Sequence, residues 1–196
     1  MGRNTGNSWL RALYIGGGTF FLAMAISLLS KFLLSRIASL VLAFSMLLLI
    51  IIIGIVFDII GIAAAAAKEA PFHAKAAKKI KGATQSLKIV RNADRVASFC
   101  NDVVGDIAGT LSGAIGAAIA LELVILRNND VVDLIAGTIM AGFVAALTVG
   151  GKAWGKNYAI YQATEIISKV GRVLAAIEGL TGLKLFNGNP PKGRRA

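Results

Sequence analysis

The chain is poor in the residues that usually carry chemistry. It has one cysteine, Cys100, and one histidine, His73. A lone cysteine excludes an intramolecular disulfide and a cysteine-based zinc site, and a lone histidine excludes a histidine cluster. No nucleophile–histidine pair is present. The glycine run Gly16-Gly17-Gly18 lies inside an apolar segment and reads as helix packing or a flexible turn, not a phosphate cradle. An enzyme is therefore the least supported class. Aromatic residues are 7% of the chain and do not interleave with the basic stretches. The net charge of +11 thus does not point to nucleic acid, which would need a stacking platform. Charge itself is scarce at 16%, well below the roughly 25% of a soluble domain.

What is abundant is apolar surface. Hydrophobic residues make up 56% of the sequence and the mean hydropathy is +0.72. Residues 37–57 form a run of 21 without a charge. This reaches the ~20 residues a helix needs to cross the hydrocarbon of a bilayer. The expected fold is an all-α integral membrane protein with about four transmembrane helices, at 9–34, 37–67, 96–126 and 131–151. Residues 1–8 are polar and no clear small-residue cleavage site follows. The first apolar segment therefore reads as a span and not as a cleavable signal.

The basic residues set an orientation. Eight lie between Lys68 and Arg95 and eight between Lys152 and Arg195, with Arg3 and Arg11 at the start. The two short turns hold only Lys31, Arg36 and Arg127. By the positive-inside rule both termini and the basic middle segment face the cytoplasm of a cell (plasma or inner) membrane. Anionic lipid headgroups are the expected partner of these charges. Residues 71–90 mix lysine with Ala, Ile and Leu and are expected to form an amphipathic helix at the inner surface, with a solvated basic linker as the alternative. Residues 157–185 predict a second such helix. Together these make one transmembrane domain over 1–186, followed by a basic disordered tail at 187–196.

Three aspartates interrupt the apolar runs. A carboxylate within a span persists only with a partner or a task. Asp58 lies ten residues before Lys68, or ~15 Å deep by helix rise. Asp102 and Asp106 come after Arg95 in a helix of opposite direction and reach ~10 and ~16 Å. Similar depth lets the three meet. Asp102 and Asp106 are four apart and share one helix side. Gly105, Gly109 and Gly113 form a small-residue ladder along nearly that side, which favours a close helix neighbour. Asn101, Ser98 and Thr110 add oxygen. No basic residue is expected within the spans, so a proton or cation must offset the charge. Oxygen ligands without His or Cys favour Mg²⁺, Na⁺ or Ca²⁺. The alternative is that the acids are protonated and cap backbone groups in the seam. Gly54 and Gly61 bracket Asp58 and suggest a local unwinding of the second span.

The order of parts resembles the transmembrane domain of the CorC/CNNM (cyclin M) family. The stretch Asn101-Asp102-Val103-Val104-Gly105-Asp106 is similar to that family's Gly-Asn-Thr-x-x-Asn signature, with Asp102 and Asp106 at the two amide positions. Residues 88–96 resemble the run before that signature, and Gly151-Lys152-Ala153-Trp154-Gly155-Lys156 stands where the family has Gly-Glu-x-x-Pro-Lys. Phe57-Asp58 falls at the family's polar first-span residues. The resemblance covers about 37–180. It implies dimeric Mg²⁺ binding or transport and gives Asp102 and Asp106 a precedent as ligand positions. The expected protein is a Mg²⁺ transporter or channel, a homodimer or small homo-oligomer, with Asp58, Asp102, Asp106 and Asn101 as its metal-site residues. The family's CBS modules are lacking, and Asp replaces amide twice. The other functional reading is a non-transporting membrane scaffold that packs through Gly105, Gly109 and Gly113.

Overall fold

The computed structural model describes residues 8–36, 39–124 and 130–182. The tail expected at 187–196, the outer turn at 127–129 and the last residues of the third span and of the second surface helix lie outside them. The regular elements are all helical: α1 Ser8–Arg36, α2 Leu40–Ala66, α3 Ala70–Ala77, α4 Ala83–Arg91, α5 Ala93–Ser98, a π-helical segment Phe99–Gly105, α6 Asp106–Val124, α7 Asp130–Tyr161 and α8 Ala163–Thr181. Among the described residues no strand occurs.

Among the described residues three helical stretches are long and apolar enough to cross a bilayer: Leu40–Ala66, Ala93–Leu123 and Leu134–Tyr161. Their composition leaves the backbone to satisfy its own hydrogen bonds, which in hydrocarbon only a continuous helix or a closed barrel can do. Within α1 the described apolar stretch is Leu13–Leu28.

The chain divides into two compact units, Met1–Ile52 with Ile107–Ala145 and Ile53–Asp106 with Ala146–Ala196. In the first, α2 buries Ala43, Leu47 and Ile51, and α6 buries Ile107, Leu111, Ile115 and Ile119. Both series step by four, one side of a helix. A Cβ at Gly116 would lie 2.8 Å from Val144 Cγ2 and 3.4 Å from Met140 Cγ, so α6 and α7 approach closely because glycine is there.

The second unit has its own core of Ala63, Ala64, Phe72, Ile89, Val90, Ala159, Ala163 and Ile167. The single surface helix expected over 71–90 is two helices. Pro71 stands in the first turn of α3, where its missing N–H does no harm. Lys79 then adopts φ 53° and Gly82 φ 86°, and α4 starts in a new direction. The Ile80 amide donates to the Lys75 carbonyl at 3.1 Å and closes the end of α3. The reversal brings Phe72 and Ile89 into one core. Their apolar sides are thus buried inside the protein, where the sequence suggested immersion in lipid. Similarly, the helix expected over 157–185 is interrupted. α7 runs on to Tyr161, and Gln162 at φ −107° and ψ 20° turns the chain into α8.

α4 and α8 dock through small residues. Ser86 Oγ lies 2.9 Å from the Ile167 carbonyl and 3.0 Å from the Gly82 carbonyl. A Cβ at Gly171 would collide with Ser86 Oγ and lie 2.6 Å from the Gly82 carbonyl. Gln85 Nε2 donates to Glu178 Oε2 at 2.8 Å. The Ser86–Ile167 and Gln85–Glu178 bonds join residues 81 and 93 positions apart across α4 and α8, so they fix register as well as contact.

A candidate cation site in the second unit

Asp58 has a partner that the sequence reading missed. Lys152 Nζ lies 3.5 Å from Asp58 Oδ1. The expectation that no basic residue reaches these acids is therefore corrected. It failed because the last span was ended at Gly151, just before Lys152, whereas α7 continues without a break to Tyr161. The helix side that carries Lys152 is placed by glycine. A Cβ at Gly155 would lie 2.7 Å from Ile59 Cδ1, and one at Gly151 would collide with Ile55 Cδ1. Gly151 and Gly155 thus admit α2 side chains against the α7 backbone, a small-residue seam. The repeated glycine around Lys152 was the signal for it.

Gly105 lies at the meeting point of this pair and the π-helical segment. A Cβ on it would be 3.3 Å from Lys152 Nζ, 3.4 Å from the Cys100 carbonyl and 4.0 Å from Asp58 Oδ1. Gly109 and Gly113 behave differently: a Cβ on either would meet nothing within 4 Å. Among the described residues the ladder predicted at 105, 109 and 113 therefore packs only at its first rung. The ladder at 151 and 155 carries the close approach.

The irregularity expected around Asp58 is found elsewhere. α2 is continuous through Gly54, Asp58 and Gly61. The widened turn is Phe99–Gly105, which carries Asn101 and Asp102. Such π-helical turns appear often at functional sites. The widening alters the angular relation between Asp102 and Asp106 that a regular helix would set, and both residues are exposed. Ser98 Oγ donates to Asp102 Oδ2 at 2.6 Å, a short charge-assisted bond. Asn101 points elsewhere. Its Oδ1 is buried without a hydrogen-bond partner and lies against the backbone of Gly61, at a place where any Cβ would collide with it. An acceptor left in this state costs on the order of 1–3 kcal/mol.

Asp58, Asn101, Asp102 and Asp106 all belong to the second unit, but they do not form a cage. Among the described residues, no three His, Cys, Asp or Glu side chains converge to hold a metal ion. The oxygens available are mixed: the Asp58 carboxylate beside a lysine, the unpaired amide oxygen of Asn101, the Asp102 carboxylate and the Asp106 carboxylate. This is a hard-donor set suited to Mg²⁺, Ca²⁺ or Na⁺ and unsuited to zinc or copper. No known family model, curated protein or solved structure matches this chain.

Proposed function

We propose that the chain is a membrane cation-binding protein of the divalent transport type, with Mg²⁺ as its ion and its oxygen ligands drawn from Asp58, Asn101, Asp102 and Asp106. The observation that carries this reading is Asn101 Oδ1, a buried acceptor with no donor. A buried polar atom without a partner calls for an explanation, and a cation ligated by it is one. Its neighbour Asp102 supplies negative charge from the same π-helical turn. Lys152 fits the reading as a tethered counter-ion. Its ammonium neutralises Asp58 when no metal does, and a divalent cation competes for the same carboxylate. The resemblance to CorC/CNNM transmembrane domains supports the same ion and a small homo-oligomer.

In this reading α1 is a fourth membrane-associated helix and the basic residues of α3, α4 and α8 lie on the cytoplasmic side. The stacked pair Trp154 and Tyr158, with centroids 6.2 Å apart, supports an interface near the end of α7, where aromatic residues gather.

A stability screen over Mg²⁺, Ca²⁺, Mn²⁺ and Na⁺ tests the proposal, since a ligand of the folded state raises its melting temperature. Mg²⁺ is expected to stabilise the parent selectively and to stabilise Asp102→Asn far less. Equal stabilisation of the two would remove Asp102 from the site. A second reading, a scaffold, is favoured by the open faces at Gly109 and Gly113, which leave room for a partner helix. It expects Asp102→Asn to be silent and Gly109→Leu to reduce oligomer size.

A further inference from the structure

A cavity of about 220 Å³ lies between the α3–α4 turn and α8, lined by Lys75, Ile80, Lys81, Ala83, Ser86, Ser168 and Arg172. Three of its seven lining residues are cations and none is acidic. Among the described residues, Lys75, Lys81 and Arg172 have no ion-pair partner, while the nearby acids are engaged elsewhere: Glu165 with Lys169 at 3.1 Å and Glu178 with Gln85 at 2.8 Å. Like charges gathered around one hollow repel unless an anion joins them.

The surroundings hold these groups in place. Lys75 Nζ donates to Ser168 Oγ at 2.6 Å, and Ser168 Oγ donates to the Thr164 carbonyl at 2.7 Å. One of the three ammonium protons is thereby used and two remain. The Lys75 ammonium also stands 5.7 Å from the centre of the Phe72 ring. Arg172 is placed by the glycine contact next to it. A Cβ at Gly82 would lie 2.6 Å from the Arg172 amide nitrogen and 2.7 Å from its Cα. Gly82, at φ 86°, lets the two backbones meet and sets Arg172 beside the first turn of α4. The Ala83 and Ser86 amides of that turn are held by the Ile80 and Gly82 carbonyls, so its contribution to the cavity is the partial positive charge of a helix start.

We propose that this cavity binds a phosphate group. Its volume is below the roughly 300 Å³ at which drug-sized ligand pockets begin, which suits a small anion or the head of a larger molecule. An arginine fork and two lysines together match the several acceptor oxygens of phosphate, and the partial positive charge at the start of α4 favours the same anion. The source is either a soluble phosphate or the headgroup of a phospholipid with a terminal phosphate. The site is separate from the cation site and does not depend on it.

The test uses the full chain in neutral detergent. Melting temperature is followed against inorganic phosphate, with sodium chloride at matched ionic strength as the reference. In a second arm the protein is exposed to vesicles of phosphatidylcholine with and without phosphatidate, and retained lipid is measured. A saturable stabilisation by phosphate identifies the soluble source, and selective retention of phosphatidate identifies the lipid source. Whichever responds, Lys81→Gln/Arg172→Gln is expected to weaken it about tenfold or more, as loss of charge-assisted hydrogen bonds predicts. Lys78→Gln/Lys88→Gln removes equal charge outside the cavity and is expected to leave it unchanged. The proposal is overturned if neither arm responds, or if the two double variants lose the response equally.

Discussion

Lys152 changes the chemistry that Asp58 can perform. A carboxylate with a fixed ammonium beside it is neutral as a pair, and it persists in an apolar setting without a metal. Removing one partner leaves the other uncompensated. Lys152→Met is expected to destabilise the protein by about 2 kcal/mol, below the range for a fully buried pair because the lysine side chain is 28% exposed. Mg²⁺ is expected to recover part of that loss, because a divalent ion takes over the task of the ammonium. Melting curves with and without Mg²⁺ measure both effects, and a deficit that Mg²⁺ leaves untouched would separate Asp58 from the metal. A second residue-scale effect lies outside the spans. Arg91 Nε donates to Glu69 Oε2 at 3.1 Å and His73 lies 3.3 Å from the same oxygen. The hydrogen bond from Arg91, more than that from His73, holds the Glu69 carboxyl below its usual value of 4.5. The folded form has the lower value, so this contribution is complete above pH 4.5 and is lost as pH falls through the depressed value. Glu69 is well exposed, so the effect is small. Glu69→Gln is expected to flatten slightly the acid side of the stability profile, and an unchanged profile would leave Glu69 without a role in it.

At the scale of elements, glycine decides where helices touch. Gly151 and Gly155 admit Ile55 and Ile59 of α2, and Gly171 admits the first turn of α4. Gly82 does two things at once, since it takes φ 86° and lies against the backbone at Arg172. Both are denied to a residue with a Cβ. Gly82→Ala is expected to cost on the order of 3 kcal/mol, from left-handed strain and overpacking together. Limited proteolysis between α3 and α4 would report the loosening, and a melting temperature equal to the parent's would contradict this account of the turn. Gly113→Ala is the contrasting case, because a Cβ there meets nothing within 4 Å among the described residues.

For the whole molecule, its helical class and membrane character were legible from residues 37–57 and the scarcity of charge, because length and hydropathy alone determine whether a helix can cross. The segments expected as surface helices, 71–90 and 157–185, were legible as helical but not as a core. Their apolar residues have the same period whether they face lipid or protein, and only the turn at Lys79 and Gly82 distinguishes the two. The aspartates and Asn101 were legible as unusual residues. Their partners were not, because Lys152 lies 94 positions from Asp58 and the π-helical turn leaves no periodic mark. The central claim, that Asn101 is an oxygen ligand to a cation, is tested most directly by Asn101→Leu. This change removes the buried acceptor and keeps the volume. The measurement is the rise in melting temperature on saturation with Mg²⁺, which at a hundred times the dissociation constant corresponds to about 2.7 kcal/mol for one site. The account predicts that Asn101→Leu loses most of that rise. A variant that is as stable as the parent or more so, and that gains the full rise with Mg²⁺, would contradict it.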